Sequence, residues 1–377
     1  SDVYKRQERR AFMKAARFYN AKDIRVEEVD RASVGPNDVL LKVAWAGICG
    51  SDLHEYNAGP LNIPGDKPDP LTGQVKPITM GHEFSGIVEE VGPDVQDIEV
   101  GDKIAVNPMI LSGKHGGGLI DMYQGGSTIG LAQDGGFAEY AVFDAKHAYK
   151  LNKDTNLKLG ALVEPIAVAM QAIRESELQF GESVAIFGVG PIGLALIMAA
   201  RVAGAREIFA FDLSDKRLEK AKELGATHTI NSGNQDPVEY IKQYYPYGVD
   251  RTFEVAGVDV VFKQAIRATR PRGMVNVVSI YETGIEFNPM WLTISGVHIS
   301  TSLGYEDDIF ELTINMIESG QLDPWPLITD QIELDNIVKD GFEQLQNDKS
   351  QAKILVQLSG EESVSYTHLR AHETRHD

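Results

Sequence analysis

The chain has 377 residues, long enough for two domains that each bury a core of their own. Its 36 basic and 55 acidic residues give a formal net charge of −19, which disfavours nucleic acid and anionic membranes as partners. No stretch is apolar enough to predict a membrane span, and a single cysteine excludes an intrachain disulfide framework and suits a reducing cytoplasm.

Short strands separated by glycine and proline fill the first part of the chain, from Met13 to about Ala161. The clearest candidates are 39–45, 86–92 and 103–106, each flanked by turn residues. This pattern predicts a compact, mostly antiparallel β domain. The glycine-rich stretch 108–136 is predicted to be a long loop, which is usually functional or mobile in a compact domain.

From about Gly181 the pattern changes to buried-type strands that alternate with helices. The predicted strands are 183–187, 207–211, 228–230, 251–254, 274–278 and 297–299. This alternation predicts a parallel, doubly wound sheet. Farther on, helical patterns over 309–319 and 336–346 precede a strand-like segment, 352–358, which could rejoin the first domain.

A glycine-rich turn, Gly188-Val-Gly-Pro-Ile-Gly193, follows the first of these strands and opens a helix. Its glycines permit a tight turn, close approach of a pyrophosphate, and tight helix–strand packing. Asp212 ends the next strand, where a carboxylate binds ribose hydroxyls and disfavours a 2′-phosphate, so NAD is expected over NADP. Lys216 and Arg217 lie nearby and weaken this discrimination. The residues expected at the nucleotide here are Gly188, Gly190, Pro191, Ile192, Gly193, Asp212 and Arg217.

Three distant side chains offer ligands for a metal ion: Cys49, His82 and Glu164. Together they supply one sulfur, one nitrogen and one oxygen, and they leave a fourth position free for water or substrate, as in a catalytic zinc site. Each residue alone has an ordinary explanation, since a lone cysteine is usually a small buried apolar residue and an isolated histidine is usually a satisfied polar residue.

Several motifs together resemble the zinc-dependent medium-chain alcohol dehydrogenases. They match in order and spacing over nearly all of 13–358, and within the family they are most similar to 2,3-butanediol dehydrogenases, with sorbitol and threonine dehydrogenases as neighbours. The motifs are Cys49-Gly-Ser-Asp-Leu-His54, Gly81-His-Glu-Phe-Ser-Gly86, Gly135-Gly-Phe-Ala-Glu-Tyr140, Val163-Glu-Pro165 and the glycine-rich turn at 188–193.

This resemblance implies an α/β fold with a Rossmann domain and a mostly β, GroES-like catalytic domain. We expect the catalytic domain over 13–163 and 306–360 and the Rossmann domain over 164–305. The polar, aperiodic ends at 1–12 and 361–377 look foreign to the rest and are expected to lie outside the fold.

The same resemblance assigns roles around one catalytic zinc. Cys49, His82 and Glu164 would bind the ion, and Glu83 could approach it when water or substrate leaves. Asp52 would orient the His82 ring.

A second set of roles concerns proton transfer and the cofactor. Ser51 would take the alcohol proton and pass it through the nicotinamide ribose towards His54, although His54 could equally be a surface histidine. Val255, Ala256 and Ile280 fall at strand ends where family members contact the cofactor.

The chain departs from the family at the lobe that often holds a second, structural zinc, because 108–130 contains no cysteine. Ser112, His115 and Asp121 do not form a convincing tetrahedral set, so one zinc is predicted per chain. The lobe would then be ordered by its own packing or by a neighbouring subunit.

The implied reaction is hydride transfer between NAD(H) and a small secondary alcohol or its ketone, with a vicinal diol as the favoured substrate. A polyol dehydrogenase, a threonine dehydrogenase and a zinc-free quinone reductase remain as alternatives. The strand around 297–302 could pair with its twin, so a homodimer or homotetramer is expected.

Overall fold

The computed structural model describes residues 12–359, so both predicted terminal extensions, apart from Phe12 in the first strand, lie outside the described residues. Within this range the chain forms an antiparallel β unit followed by a parallel α/β unit, which confirms the predicted fold class. None of the helices described is both long and apolar enough to cross a membrane.

The β unit is built on β3 and β5, which lie at the centre of its largest sheet. That sheet has the order β10-β6-β5-β3-β18-β17, with β9 paired to the other part of β3; smaller sheets have the orders β2-β1-β4 and β7-β8. The first strands are β1 (Phe12–Asn20), β2 (Asp23–Asp30), β3 (Asp38–Gly47), β4 (Ile78–Thr79), β5 (Glu83–Val91), β6 (Lys103–Val106), β7 (Met109–Ile110), β8 (Ser127–Thr128), β9 (Tyr140–Asp144) and β10 (Ala148–Lys150).

Three short helices connect these strands: α1 (Gly50–Ala58), α2 (Gly118–Tyr123) and α3 (Leu157–Gly160). The start of α1 is fixed by Asp52, which accepts a hydrogen bond from the Cys49 amide at 2.9 Å and so satisfies a free N–H of the first turn. Farther along α1, the fully buried Glu55 accepts the amide protons of residues 61–63 and anchors the proline-rich insert to the helix.

The α/β unit is a six-stranded parallel sheet with the order β13-β12-β11-β14-β15-β16. From β11 the chain adds strands towards one edge of the sheet, and from β14 it adds them towards the other edge. The crevice between β11 and β14, where this order switches, is where doubly wound folds bind nucleotides. Its strands are β11 (Ser183–Phe187), β12 (Glu207–Asp212), β13 (His228–Asn231), β14 (Val249–Glu254), β15 (Thr269–Val277) and β16 (His298–Thr301). Its helices are α4 (Val163–Glu175), α5 (Pro191–Val202), α6 (Asp215–Leu224), α7 (Pro237–Lys242), α8 (Asp259–Ala268) and α9 (Met290–Ser295).

The last part of the chain returns to the β unit, as the sequence suggested for 352–358. After α10 (Asp307–Glu318), which packs on α4, the strand β17 (Ile328–Glu333) pairs in parallel with β18 (Lys353–Gln357). β18 in turn pairs antiparallel with β3. The exact domain limits at 163/164 and 305/306 stay a prediction.

The predicted helix over 336–346 is irregular in the structure. A 3₁₀ turn (Leu334–Asn336) leads into a π-helix (Ile337–Glu343), and an α-helical turn, α11 (Gln344–Asn347), completes it. The wider π turn brings residues five apart onto one face, and Ile337 and Phe342 are both fully buried there. A period of 3.6 residues could not anticipate this local widening.

Phe310 on α10 links the two units, because its ring lies 4.9 Å from that of Tyr149 on β10 and 5.6 Å from that of Tyr305. Phe310→Ala leaves a cavity in this fully buried contact and is expected to lower the free energy of unfolding by about 3–5 kcal/mol. Leu312→Ala, on the exposed side of the same helix, should cost less than about 0.5 kcal/mol. Equal shifts of the two variants in denaturant unfolding would contradict this account.

Candidate active site

Cys49, His82 and Glu83 converge although Cys49 and His82 are 33 positions apart (82 minus 49). One ligand atom from each residue lies within 4.8 Å of the others. The cause is the antiparallel pairing of β3 with β5, in which Gly47 lies opposite Glu83. The cysteine just after β3 is thereby placed beside the histidine just before β5. Both His82 and Glu83 are buried, whereas Cys49 is partly exposed.

Asp52 faces the imidazole of His82 from within the protein. Its Oδ1 lies 3.4 Å from His82 Nδ1, within ion-pair distance but without hydrogen-bond alignment, and the Asp52 side chain is fully buried. Although burial disfavours the imidazolium, Asp52 and Cys49 hold the pKa of His82 well above its ordinary value. When the ring is neutral and its Nδ1–H is directed at Asp52, the lone pair of Nε2 is available to a metal ion.

Glu83 also contacts a buried cation that the sequence analysis missed. Lys353 Nζ lies 2.7 and 2.8 Å from the two carboxylate oxygens and donates to the Ile48 carbonyl at 3.2 Å. Although burial alone would lower the pKa of Lys353, Glu83 and Cys49 raise it. The available signal was a lysine directly before the apolar run 354–356 of β18, since a buried lysine requires a partner.

Glu164 lies near this group but outside the set of three that meets within 4.8 Å. It stands in the first turn of α4, and its Oε1 accepts a hydrogen bond from the buried Tyr305 hydroxyl at 3.1 Å. Burial raises the pKa of Glu164 to about 7, against the opposing effect of His82. Its assignment as a zinc ligand stays a prediction, and no local pattern indicated Tyr305 as its partner.

The donor set of the convergent residues is suited to zinc. A thiolate, an imidazole and a carboxylate are the ligands that Zn²⁺ takes in proteins, and a catalytic ion uses three of them with one open position. In residues 12–359 no second group of three or more such side chains comes as close together.

The lobe at 108–130 is organised by Asp121, which lies in α2 and is buried. Its carboxylate accepts hydrogen bonds from the Ser112 hydroxyl at 2.6 Å and from the amides of His115 and Gly117 at 3.1 and 2.7 Å. These bonds lower the pKa of Asp121, with the Ser112 contact as the largest cause. Hydrogen bonds thus connect this loop, which contains no cysteine.

The glycine-rich turn has the shape that a dinucleotide requires. Gly188 has φ +94°, and a Cβ on Gly193 would lie 2.0 Å from the Gly188 carbonyl oxygen, so neither position accepts a side chain. A Cβ on Gly190, in contrast, would meet nothing within 4 Å. The turn therefore leaves open space at the N-terminus of α5, which begins with Pro191 and Ile192, where free amides and the helix dipole favour phosphate.

Asp212 lies beside this turn at the end of β12. Its Oδ2 accepts the Val189 amide and its Oδ1 the Ser214 amide, both at 2.9 Å. Arg217 on α6 approaches Oδ2 to 3.9 Å. These bonds hold the carboxylate at the edge of the nucleotide crevice, and its remaining lone pairs can accept hydrogen bonds from ribose hydroxyls.

Two loops on the opposite side of the crevice carry the other predicted cofactor residues. A Cβ on Gly188 would lie 3.1 Å from the Ala256 amide, so the loop with Val255 and Ala256 borders the glycine-rich turn. A Cβ on Gly257 would lie 2.9 Å from the Ile280 carbonyl oxygen, so the loop after β15 lies alongside. Val255, Ala256 and Ile280 therefore lie at the carboxyl edge of the parallel sheet.

The two residues of the predicted proton path are both on α1 but have different partners. Ser51 Oγ lies 3.3 Å from His82 Nε2, at the metal-binding group. His54 Nδ1 lies 2.8 Å from Glu282 Oε1, in the loop after β15, so this contact joins the two units of the chain. Transfer of a proton between Ser51 and His54 stays a prediction.

Two family models match the chain. The alcohol dehydrogenase GroES-like domain matches residues 35–153, and the zinc-binding dehydrogenase domain matches residues 191–319. The (R,R)-butanediol dehydrogenase of Bacillus subtilis is 45% identical over 91% of this chain and 99% of its own length. The crystal structure of 2R,3R-butanediol dehydrogenase from Bacillus subtilis superimposes with a TM-score of 0.87 and covers 92% of this chain and 99% of that chain.

Relatives with other substrates are more distant. The sorbitol dehydrogenase of Bacillus subtilis is 31% identical over 91% of this chain and 97% of its own length. The L-threonine 3-dehydrogenase of Thermococcus kodakarensis is 32% identical over 90% and 95%. These matches confirm the resemblance found in the motifs, and the chain belongs to the zinc-dependent medium-chain alcohol dehydrogenase family.

Proposed function

We propose that the chain is an NAD-linked, zinc-dependent oxidoreductase that interconverts 2,3-butanediol, or a similar small vicinal diol, and the corresponding hydroxyketone. The observation that carries this proposal is the convergence of Cys49, His82 and Glu83 on one position. The near full-length similarity to butanediol dehydrogenase supports the choice of substrate class. A thiolate ligand must stay reduced, which suits a cytoplasmic location.

The zinc ion, the nicotinamide and the protein side chains have different roles in this reaction. When bound, zinc supplies Lewis-acid polarisation of the substrate oxygen, and the nicotinamide accepts or returns the hydride. Cys49 and His82 would hold the ion, and either Glu83 or Glu164 would complete the protein ligands. The buried Asp52 keeps the His82 ring turned so that Nε2 is available.

Ser51 is placed to hold the proton of the reacting hydroxyl at its Oγ, because that atom lies beside His82 Nε2. His54, later on the same helix and partly exposed, is placed to exchange a proton with solvent next to Glu282. The proposed path takes this proton from Ser51 through the nicotinamide ribose towards His54, as general acid–base catalysis requires.

A vicinal diol suits this site because one oxygen can face the metal while the other accepts or donates a hydrogen bond. Polyol and threonine dehydrogenase activities are the alternatives within the family, and their relatives are the more distant ones. A zinc-free quinone reductase would have no use for the preserved donor set.

NAD is the proposed cofactor because Asp212 is held at the crevice edge, where a 2′-phosphate would meet its negative charge. One zinc per chain is proposed, since the hydrogen bonds of Asp121 order the lobe that would hold another.

A homodimer or homotetramer is proposed through β16, the outer strand of the parallel sheet. Exposed apolar side chains flank β16 in the chain, including Ile294 and Leu303. An unpaired strand edge beside exposed apolar surface is suited to pairing with a second copy about a twofold axis.

The function is tested by a panel of acetoin, diacetyl, sorbitol, threonine and simple secondary alcohols, followed through NAD(H) absorbance. The highest kcat/KM is expected for 2,3-butanediol oxidation and acetoin reduction. Cys49→Ala should lower turnover by about a thousandfold or more and remove the zinc, while NADH fluorescence still reports binding. A metal-free wild-type protein with full activity, or sorbitol as the preferred substrate, would overturn the proposal.

The role of Asp212 is tested by Asp212→Ser. Loss of a charged hydrogen-bond acceptor should raise KM for NAD about tenfold and improve the use of NADP. The matched variant Lys216→Ala should impair NADP and leave NAD unchanged. If Asp212→Ser keeps the wild-type preference for NAD over NADP, other residues determine the cofactor specificity.

The proposed assembly is tested by sedimentation velocity of the wild-type protein and of Leu303→Glu. The wild type should sediment as a dimer or tetramer, and a charge beside β16 should shift it towards the monomer. Leu312→Glu, at an exposed leucine on α10, serves as the control and should not change the assembly. A monomeric wild type at working concentration would remove the proposal.

A further inference from the structure

Glu254, the last residue of β14, is fully buried and has no cationic partner among the described side chains. An isolated buried carboxylate is costly unless hydrogen bonds compensate it. Its hydrogen-bond partners lie in the loops after β14 and β15, outside the metal-binding group and the glycine-rich turn.

Each carboxylate oxygen of Glu254 holds a different loop. Oε1 accepts the amides of Ala256 and Gly257, both at 2.9 Å. Oε2 accepts the hydroxyls of Ser279 and Tyr281, the latter at 2.7 Å. Burial, together with the bond to Glu254, raises the pKa of Tyr281 above its ordinary value, which keeps its hydroxyl a donor. Four donors thus offset the cost of burying the charge.

The two loops held in this way lie against each other and against the glycine-rich turn. Gly257 has φ +71°, and a Cβ there would come within 2.9 Å of the Ile280 carbonyl oxygen. Ala256 in turn packs against Gly188. The loops follow β14 and β15, and together they form the side of the crevice away from β12 and Asp212.

This placement separates the two halves of a bound dinucleotide. Asp212 on β12 lies where a doubly wound sheet binds the adenosine ribose, so the nicotinamide half falls over β14 and β15. The second loop also leads to Glu282, whose carboxylate contacts His54 on α1, the helix whose N-cap residue is Cys49. The loop after β15 therefore extends to the helix that lies next to the metal-binding group.

We propose that Glu254 is a positioning residue for the nicotinamide half of the cofactor, holding both loops that form its binding wall. This inference rests on the proposed function for the identity of the cofactor. Glu254 acts through the backbone of Ala256 and Gly257 and through the hydroxyls of Ser279 and Tyr281.

The test is NADH binding to the full-length zinc-loaded protein, measured by fluorescence titration. Glu254→Ala should raise the Kd for NADH about tenfold, because loss of a charged acceptor releases both loops. KM for NAD should rise in parallel, zinc content should stay unchanged, and the emission maximum of bound NADH should move towards that of free NADH. Glu254→Gln, which keeps one acceptor oxygen, should show the same change to a smaller extent.

Asp250→Asn provides a matched control at the other end of the same strand. Asp250 accepts hydrogen bonds from Ser183 and pairs with Arg270 at 2.6 Å, so its loss should lower the unfolding midpoint while the Kd for NADH stays within about twofold. A folded Glu254→Ala with an unchanged Kd for NADH would overturn the inference.

If neither Glu254 variant folds, Tyr281→Phe tests the same inference, because it removes only the hydroxyl that donates to Glu254. Its Kd for NADH should rise about threefold, and an unchanged Kd would again overturn the inference. The titration uses no alcohol, so it does not depend on the proposed substrate. A wild type that binds NADH but fails to oxidise diols would refute the proposed substrate, and the role of Glu254 in NADH binding would still be supported.

Discussion

The antiparallel pairing of β3 with β5 is the constraint on which the candidate site depends. It places Cys49, just after β3, beside His82 and Glu83 at the start of β5, although α1 and the proline-rich insert lie between them in the chain. A shift of register would move these side chains apart or to the opposite face of the sheet. β18 supports the arrangement from the other side of β3, since it supplies Lys353 to Glu83.

Buried carboxylates recur wherever this protein needs a loop or ring held in one place. Asp52 faces the His82 ring, Glu55 anchors the insert after α1, Asp121 connects the lobe, and Glu254 holds two loops at the crevice. A carboxylate offers several lone pairs from a single side chain, so it can satisfy amides that no secondary structure pairs. Such groups make the site rigid before any ligand arrives, which reduces the entropy lost on binding.

The parts of the fold and site that the sequence predicted are those with a local signal. Strand and helix periodicity located the parallel sheet, and the spacing of glycines located the turn at Gly188 because backbone geometry alone demands them there. The parts it missed depend on tertiary contacts between distant residues. Nothing near Tyr305 indicates that it faces Glu164, and the hydrogen bonds of Glu254 become visible only when the loops after β14 and β15 lie together.

The central claim is that the chain's single cysteine binds a catalytic zinc together with nitrogen and oxygen ligands. X-ray absorption at the zinc edge of the purified protein tests it most directly, because sulfur is distinguished from nitrogen and oxygen by distance. The account predicts one sulfur neighbour at about 2.3 Å and the remaining neighbours at about 2.0–2.2 Å. A zinc ion without a sulfur neighbour would contradict it.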